Sequence, residues 1–250
     1  MTSFSTDLAL ALARSSLNAY DPAPCAYSTV ITEGSFQAVV TVVPGVVEIA
    51  FRGTADLANM LSDAEIVQIG QIWLPAGARL HRGFANALGC LWPRLLEALP
   101  TDMANRSLIL TGHSLGAAMA ILAAALFLSN RGLRATHVYA FGAPRVGNRQ
   151  FCRWYDEFLG PVTWRVCHCD DLVALVPFCL GAYREAGQHA ALLASPDRVV
   201  LNPSLRYEAC RTLQAFSRDI SRRLGILYGH SCERYVSNLQ RVVDNERQLK

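Results

Sequence analysis

The sequence predicts one α/β domain over residues 1–250, with a mostly parallel central sheet, antiparallel N-terminal strands and helices on both faces. Three observations predict it: a hairpin pattern near the start, a regular alternation of strand-like and helix-like runs after it, and a glycine-flanked serine at one strand-to-helix junction. The chain's 250 residues, 52% hydrophobic and 17% charged, suffice for one well-buried core and offer no break at which a second would begin.

Residues 7–19 (DLALALARSSLNA) read as an opening helix. Residues 35–43 and 46–51 are β-branched runs joined by Pro44-Gly45, a pairing that turns the chain back on itself. Helix 84–99, strand 107–111, helix 115–130, strand 136–141, helix 148–158 and strand 162–168 then alternate. Such alternation folds as parallel strands, because each parallel pairing needs a long crossover and a helix supplies it. A second hairpin is expected from 190–194 and 198–201. In 204–224, Leu205, Ala209, Leu213, Phe216, Ile220 and Leu224 form one helical stripe.

Several functions are excluded at this level. A formal charge of +3 with dispersed basic residues does not describe a nucleic-acid surface. The eight cysteines (25, 90, 152, 167, 169, 179, 210 and 232) form no C-x-x-C pair and lie in apolar runs, so they are expected to be reduced and mostly buried. No Lys or Arg precedes the first apolar stretch and Asp7 comes early, so no signal peptide and a cytoplasmic location are expected. The run 108–128 is apolar enough to suggest a membrane span, but Gly112-His113-Ser114 interrupts it and indicates strand, turn and helix instead. Cys167-His168-Cys169-Asp170 cannot converge on a metal ion, since alternate strand residues face opposite sides; neither metal nor other cofactor is expected.

The chemistry centres on Ser114. Leu108-Ile109-Leu110-Thr111 leads into Gly112-His113-Ser114-Leu115-Gly116, and Ala117, Ala118, Ala120, Ala123, Ala124 and Ala125 follow. Strand, G-x-S-x-G and small-residue helix together form a sharp turn that raises a serine above the sheet edge, with the helix N-terminus aimed at it. A serine that attacks a carbonyl needs fixed donors for the oxyanion. Leu115 N–H, at the helix start, is the first; Thr54, closing the strand through Phe51-Arg52-Gly53, can offer N–H and hydroxyl as the second. It also needs a histidine and a carboxylate, which on strand–turn–helix hydrolases follow the serine in the order acid, then histidine. Of six histidines, His81 and His113 precede Ser114 and His137 and His168 precede any plausible acid, leaving His189 and His230. His189 lies at the edge of the expected hairpin, whereas Gly229-His230-Ser231 is a turn after a long helix, and His230 is preferred. Asp170 and Asp171 are adjacent after strand 162–168, and only one can face the histidine.

With these residues in view, the chain resembles the class 3 (fungal-type) lipases of the α/β-hydrolase superfamily. Their F-R-G-[ST], H-x-G-F, G-H-S-L-G-[GA], F-G-x-P-R-V-G-N and D-x-V patterns recur in order as Phe51 to Thr54, His81 to Phe84, Gly112 to Ala117, Phe141 to Asn148 and Asp171 to Val173. The resemblance returns at His230-Ser231-Cys232-Glu233-Arg234-Tyr235, with Gly229 where the family often has aspartate, and Ala174 stands where a proline is usual. It implies an α/β-hydrolase fold, Ser114, Asp171 and His230 as catalytic residues, and Thr54 with Leu115 as the oxyanion hole. It also implies a lid at 55–66, with Leu57, Met60, Leu61 and Ala64 on one helical face.

The expectation is a serine ester hydrolase acting on lipid esters, acylglycerols first, through an acyl-Ser114 intermediate. A serine acyltransferase, or a phospholipase or feruloyl-type esterase, would use the same residues. A catalytically silent binding module would keep the fold without needing them. Arg206, Arg211, Arg218, Arg222 and Arg223 read as the solvated side of the 204–224 helix.

Overall fold

A computed structural model describes residues 3–54, 67–168, 170–177, 182–194, 197–204 and 230–249. Both the 204–224 stripe, from 205 on, and the 55–66 segment lie outside these residues. In chain order the elements are α1 (Thr6–Asn18), β1 (Ser28–Glu33), β2 (Phe36–Val43), β3 (Val46–Phe51), β4 (Gln68–Ile69), β5 (Leu80–His81), α2 (Arg82–Ala98), β6 (Ser107–His113) and α3 (Leu115–Arg131). They continue with β7 (His137–Phe141), α4 (Arg149–Phe158), β8 (Thr163–His168), β9 (Gln188–Ala194), β10 (Asp197–Leu201) and α5 (Cys232–Gln248).

The main sheet runs β1-β2-β3-β6-β7-β8-β9-β10. Pairs from β3 to β9 are parallel, while β1-β2, β2-β3 and β9-β10 are antiparallel. This is the mostly parallel sheet with antiparallel N-terminal strands that the sequence predicts. The pleat splits the central strands between two cores. Val138 and Ala140 of β7 join the core covered by α2, α3 and α4, while Tyr139 and Phe141 face the one covered by α1 and α5.

Local chemistry fixes the helix ends. The Ser5 side chain accepts from Leu8 N–H at 3.2 Å to start α1, Asn148 accepts from Phe151 N–H at 3.0 Å to start α4, and Ser231 accepts from Arg234 N–H at 3.3 Å to start α5. Helix α3 ends at Gly132, whose φ of 63° makes the left-handed cap. Helix α3 is buried without interruption from Leu115 to Phe127, and its small side chains let it lie against the strands. Among the described residues no helix is long and apolar enough to cross a membrane.

Two of the longer elements were not anticipated from the sequence, and the expected burial of most cysteines holds for the described ones. Residues 28–33 form an additional strand, β1; only Ile31 of its six residues is buried, so the segment lacks an alternating apolar signal. Residues 232–248 form α5, whose buried Cys232, Tyr235, Leu239 and Val242 recur at helical spacing. Of the five cysteines within the described residues, all free, Cys152, Cys167 and Cys232 are buried but Cys25 and Cys90 are exposed.

Candidate active site

Parallel pairing brings the carboxyl ends of β3, β6, β7 and β8 to one edge of the sheet, where α/β proteins place their sites. Thr54 follows β3, Ser114 follows β6, Gly142 follows β7 and Asp171 follows β8. His230 returns to the same edge immediately before α5.

Ser114 adopts φ 61° and ψ −125°, a backbone that costs a residue bearing a Cβ about 1–3 kcal/mol. Hydrogen bonds hold the turn: Ser114 N–H donates to the Phe141 carbonyl at 2.9 Å, and the Ala117 and Ala118 N–H groups donate to the Ser114 carbonyl at 3.0 and 3.2 Å. The flanking glycines are sterically required. A Cβ on Gly112 would lie 2.3 Å from the Gly116 carbonyl carbon, and one on Gly116 would lie 2.1 Å from the Phe51 carbonyl oxygen. Leu115 N–H lies ahead of the first i→i−4 bond of α3, at the positive end of the helix. Thr54 is half-buried, three residues past the Phe51–Gly112 pairing that sets β3 against β6.

The structure separates the two adjacent carboxylates. Asp171 Oδ2 accepts from His230 Nδ1 at 2.9 Å and from the Tyr235 hydroxyl at 2.6 Å, while Oδ1 accepts from Val173 N–H at 2.9 Å. Asp170 instead pairs with the Arg234 guanidinium at 2.8 Å. Burial by itself would raise the Asp171 carboxyl, but the His230 ring and the hydrogen bonds from His230 and Tyr235 outweigh it and hold the group below the usual carboxylate range. With Nδ1 committed to Asp171, His230 presents Nε2. Both Nε2 and Ser114 Oγ are buried and without a hydrogen-bond partner among the described residues. Resting sites commonly leave that bond unmade until substrate closes it.

Beside His230, at 4.5 Å between ring centres, lies His113. Burial, then the neighbouring His230, lower its pKa to about 3, so it is neutral in the working range. His189 lies within β9, paired with Arg165 in β8.

Tyr235 and Gly142 are site residues to which the sequence reading assigned no role. Tyr235 was visible only as the last letter of the histidine motif. The Gly142 position tolerates no side chain, because a Cβ there would sit 2.7 Å from Asp171 Oδ2 and 3.0 Å from His230 Nδ1. Other motif residues build the frame. His81 is buried and stacked on Phe84 at 3.9 Å. Arg145 pairs with Glu185 at 3.4 Å, and Asn148 both caps α4 and accepts from Arg79 N–H at 3.1 Å. Among the described residues no group of three His, Cys, Asp or Glu side chains is arranged to hold a metal ion.

The chain is 28% identical to secreted mono- and diacylglycerol lipase A of Penicillium cyclopium over 178 residues, 70% of this chain and 54% of that protein. It is 38% identical to a triacylglycerol lipase of Nicotiana tabacum over 90 residues, 33% of this chain and 16% of that one. The chain thus spans about half or less of the curated relatives it matches first. The crystal structure of mono- and diacylglycerol lipase from Aspergillus oryzae shares the fold, with a TM-score of 0.67 at 23% identity over 81% of this chain and 87% of that one. The family profile described as "Lipase (class 3)" matches residues 48–181, over half the chain and the stretch from within β3 through the Asp171 turn. This chain therefore belongs to the class 3 lipase family.

Proposed function

We propose that this chain is a serine ester hydrolase that cleaves acylglycerol-type esters through an acyl-Ser114 intermediate. One observation carries the reading: the buried Asp171–His230 pair stands at the same sheet edge as a serine held in a strained turn at a helix N-terminus. Ser114 Oγ attacks the ester carbonyl as its proton passes to His230 Nε2. Leu115 N–H and Thr54 hold the oxyanion. The alcohol leaves with the proton from Nε2. Water then attacks the acyl-enzyme, again giving its proton to Nε2, and the acid departs as Ser114 Oγ recovers the proton. Asp171, kept ionised, holds the tautomer and stabilises the imidazolium; neutral His113 adds no second positive charge beside it.

The acylglycerol class is supported by the relatives, which are named as lipases of tri-, di- and monoacylglycerols. A reducing, cytoplasmic setting is supported by the five free thiols among the described residues, although the Penicillium and Fusarium relatives are named as secreted. S114A tests the chemistry. It should keep the fold but lose ester turnover and labelling by a fluorophosphonate; labelling retained at another serine overturns the assignment. Emulsified diacylglycerol and phosphatidylcholine test the substrate class, and turnover of the phospholipid alone overturns it.

A further inference from the structure

Tyr20 follows α1 and belongs to none of the motifs, yet its hydroxyl sits where the site's segments meet. The phenol oxygen is 2.8 Å from Nδ1 of His113, the residue before Ser114. It also presses onto the residue before Thr54: a Cβ on Gly53 would lie 2.0 Å from the Tyr20 hydroxyl and 2.7 Å from the His113 carbonyl oxygen. We propose that Tyr20 is a positioning residue for the oxyanion hole, its hydroxyl clamping the Gly53-Thr54 loop against the His113-Ser114 turn. The inference rests on the assignment of Thr54 and Leu115 as the donors.

The clamp follows from what each partner lacks. Gly53 must be glycine, because nothing larger fits between the phenol and the His113 carbonyl; without a side chain it has no side-chain anchor and its backbone has a glycine's full freedom. An oxyanion donor stabilises the transition state only if it is fixed before charge develops. His113 is buried and neutral, and in the tautomer protonated at Nε2 its Nδ1 accepts from the Tyr20 O–H. The phenol keeps its proton, since burial and the nearby Cys232 and Glu233 of α5 all raise its pKa. Those same neighbours put the clamp beside the helix that begins just after His230.

The test is a double-mutant cycle of Tyr20→Phe and Thr54→Val, read as kcat and KM on p-nitrophenyl butyrate and as the affinity of a phenylboronic acid, which forms a tetrahedral adduct on a serine. Tyr20→Phe keeps the ring and removes only the hydroxyl. It should lower kcat about tenfold, roughly what one hydrogen bond contributes, with KM unchanged. Boronate affinity should fall in parallel, which a loss of general stability would not cause in protein shown to be folded. In the Thr54→Val background, which lacks the hydroxyl donor and keeps only the backbone N–H, the effect of Tyr20→Phe should shrink, because the hydroxyl already removed has no position left to lose. Tyr20→Phe at the wild-type rate, a loss confined to KM, or an equal loss in both backgrounds overturns the clamp. Thr54→Val at the wild-type rate removes the oxyanion assignment itself and the clamp with it, whereas a slow Thr54→Val beside a fast Tyr20→Phe removes the clamp alone.

Discussion

Replacing Gly142 by alanine should disable the acid–histidine pair while leaving the protein folded. Gly142 has φ +57°, and its N–H donates to the Val166 carbonyl at 3.0 Å, so its backbone is held against β8. The new methyl carbon would lie 2.7 Å from Asp171 Oδ2 and 3.0 Å from His230 Cε1 and Nδ1, against about 3.4 Å for ordinary contact. Asp171 Oδ2 must therefore retreat by about 0.7 Å, a distance comparable with the 1 Å misplacement that can lower a rate about 10²-fold. It cannot retreat freely, because the same oxygen accepts from His230 at 2.9 Å and Tyr235 at 2.6 Å. The positive φ adds about 1–2 kcal/mol of backbone strain. Gly34→Ala isolates that strain, since Gly34 has φ +58° with nothing within 4 Å of its would-be Cβ. Gly142→Ala should lose more stability than Gly34→Ala in urea unfolding, and it alone should lose kcat, by about 10²-fold, on p-nitrophenyl butyrate. A Gly142→Ala enzyme within threefold of wild type, or a Gly34→Ala enzyme as slow, would refute the steric argument.

Asp171→Asn should lower kcat far more than Asp170→Asn, because Asp170 faces Arg234 and its partly exposed pair contributes about 0–1 kcal/mol of stability; steady-state rates showing the reverse order would move the acid by one residue. Tyr235→Phe removes a 2.6 Å donor from a buried carboxylate and should cost about 1.5–3 kcal/mol in urea unfolding at pH 7. Asp171 is depressed in the folded state, so its stabilisation is present above about pH 4 and lost as pH falls through the folded value; in Tyr235→Phe that loss should begin at a higher pH. Burial lowers His81 to about 4 and, with His230 beside it, His113 to about 3, while both charge near 6.5 when unfolded. Their contribution is present above pH 6.5 and lost as pH falls toward 4, at up to about 1.4 kcal/mol per pH unit for each, and a flat urea-unfolding stability from pH 6.5 to 4.5 would contradict it.

The Ser114 turn was legible in the sequence because all of its causes are local: a strand, two glycines two residues either side of Ser114, and an alanine-rich helix are contiguous, and the contacts of Gly112 and Gly116 give the physical reason for both glycines. The mostly parallel sheet was legible for a similar reason, since alternating strand and helix periodicities restrict how the chain can return to one sheet. Strand β1 was not, because as an edge strand with one buried residue it takes its conformation from pairing with β2 rather than from its own pattern. Spacing could not tell which of two adjacent carboxylates meets His230, and the family resemblance had to supply a preference. The tertiary structure separates them by charge and geometry, with Arg234 of α5 drawing off Asp170 and Tyr235 of the same helix meeting Asp171. Tyr20, Gly142 and Tyr235 matter for what lies across from them in space, 64 residues away for Tyr235 and Asp171 and 93 for Tyr20 and His113. The sequence by itself thus determined the fold class, the alternating elements of the central sheet and the serine turn, whose causes lie within a few residues of each other. Only the packing of α1 and α5 against the strand ends decided which groups hold the candidate site's side chains in place, because hydrogen bonding and steric contact depend on distances that no local pattern contains.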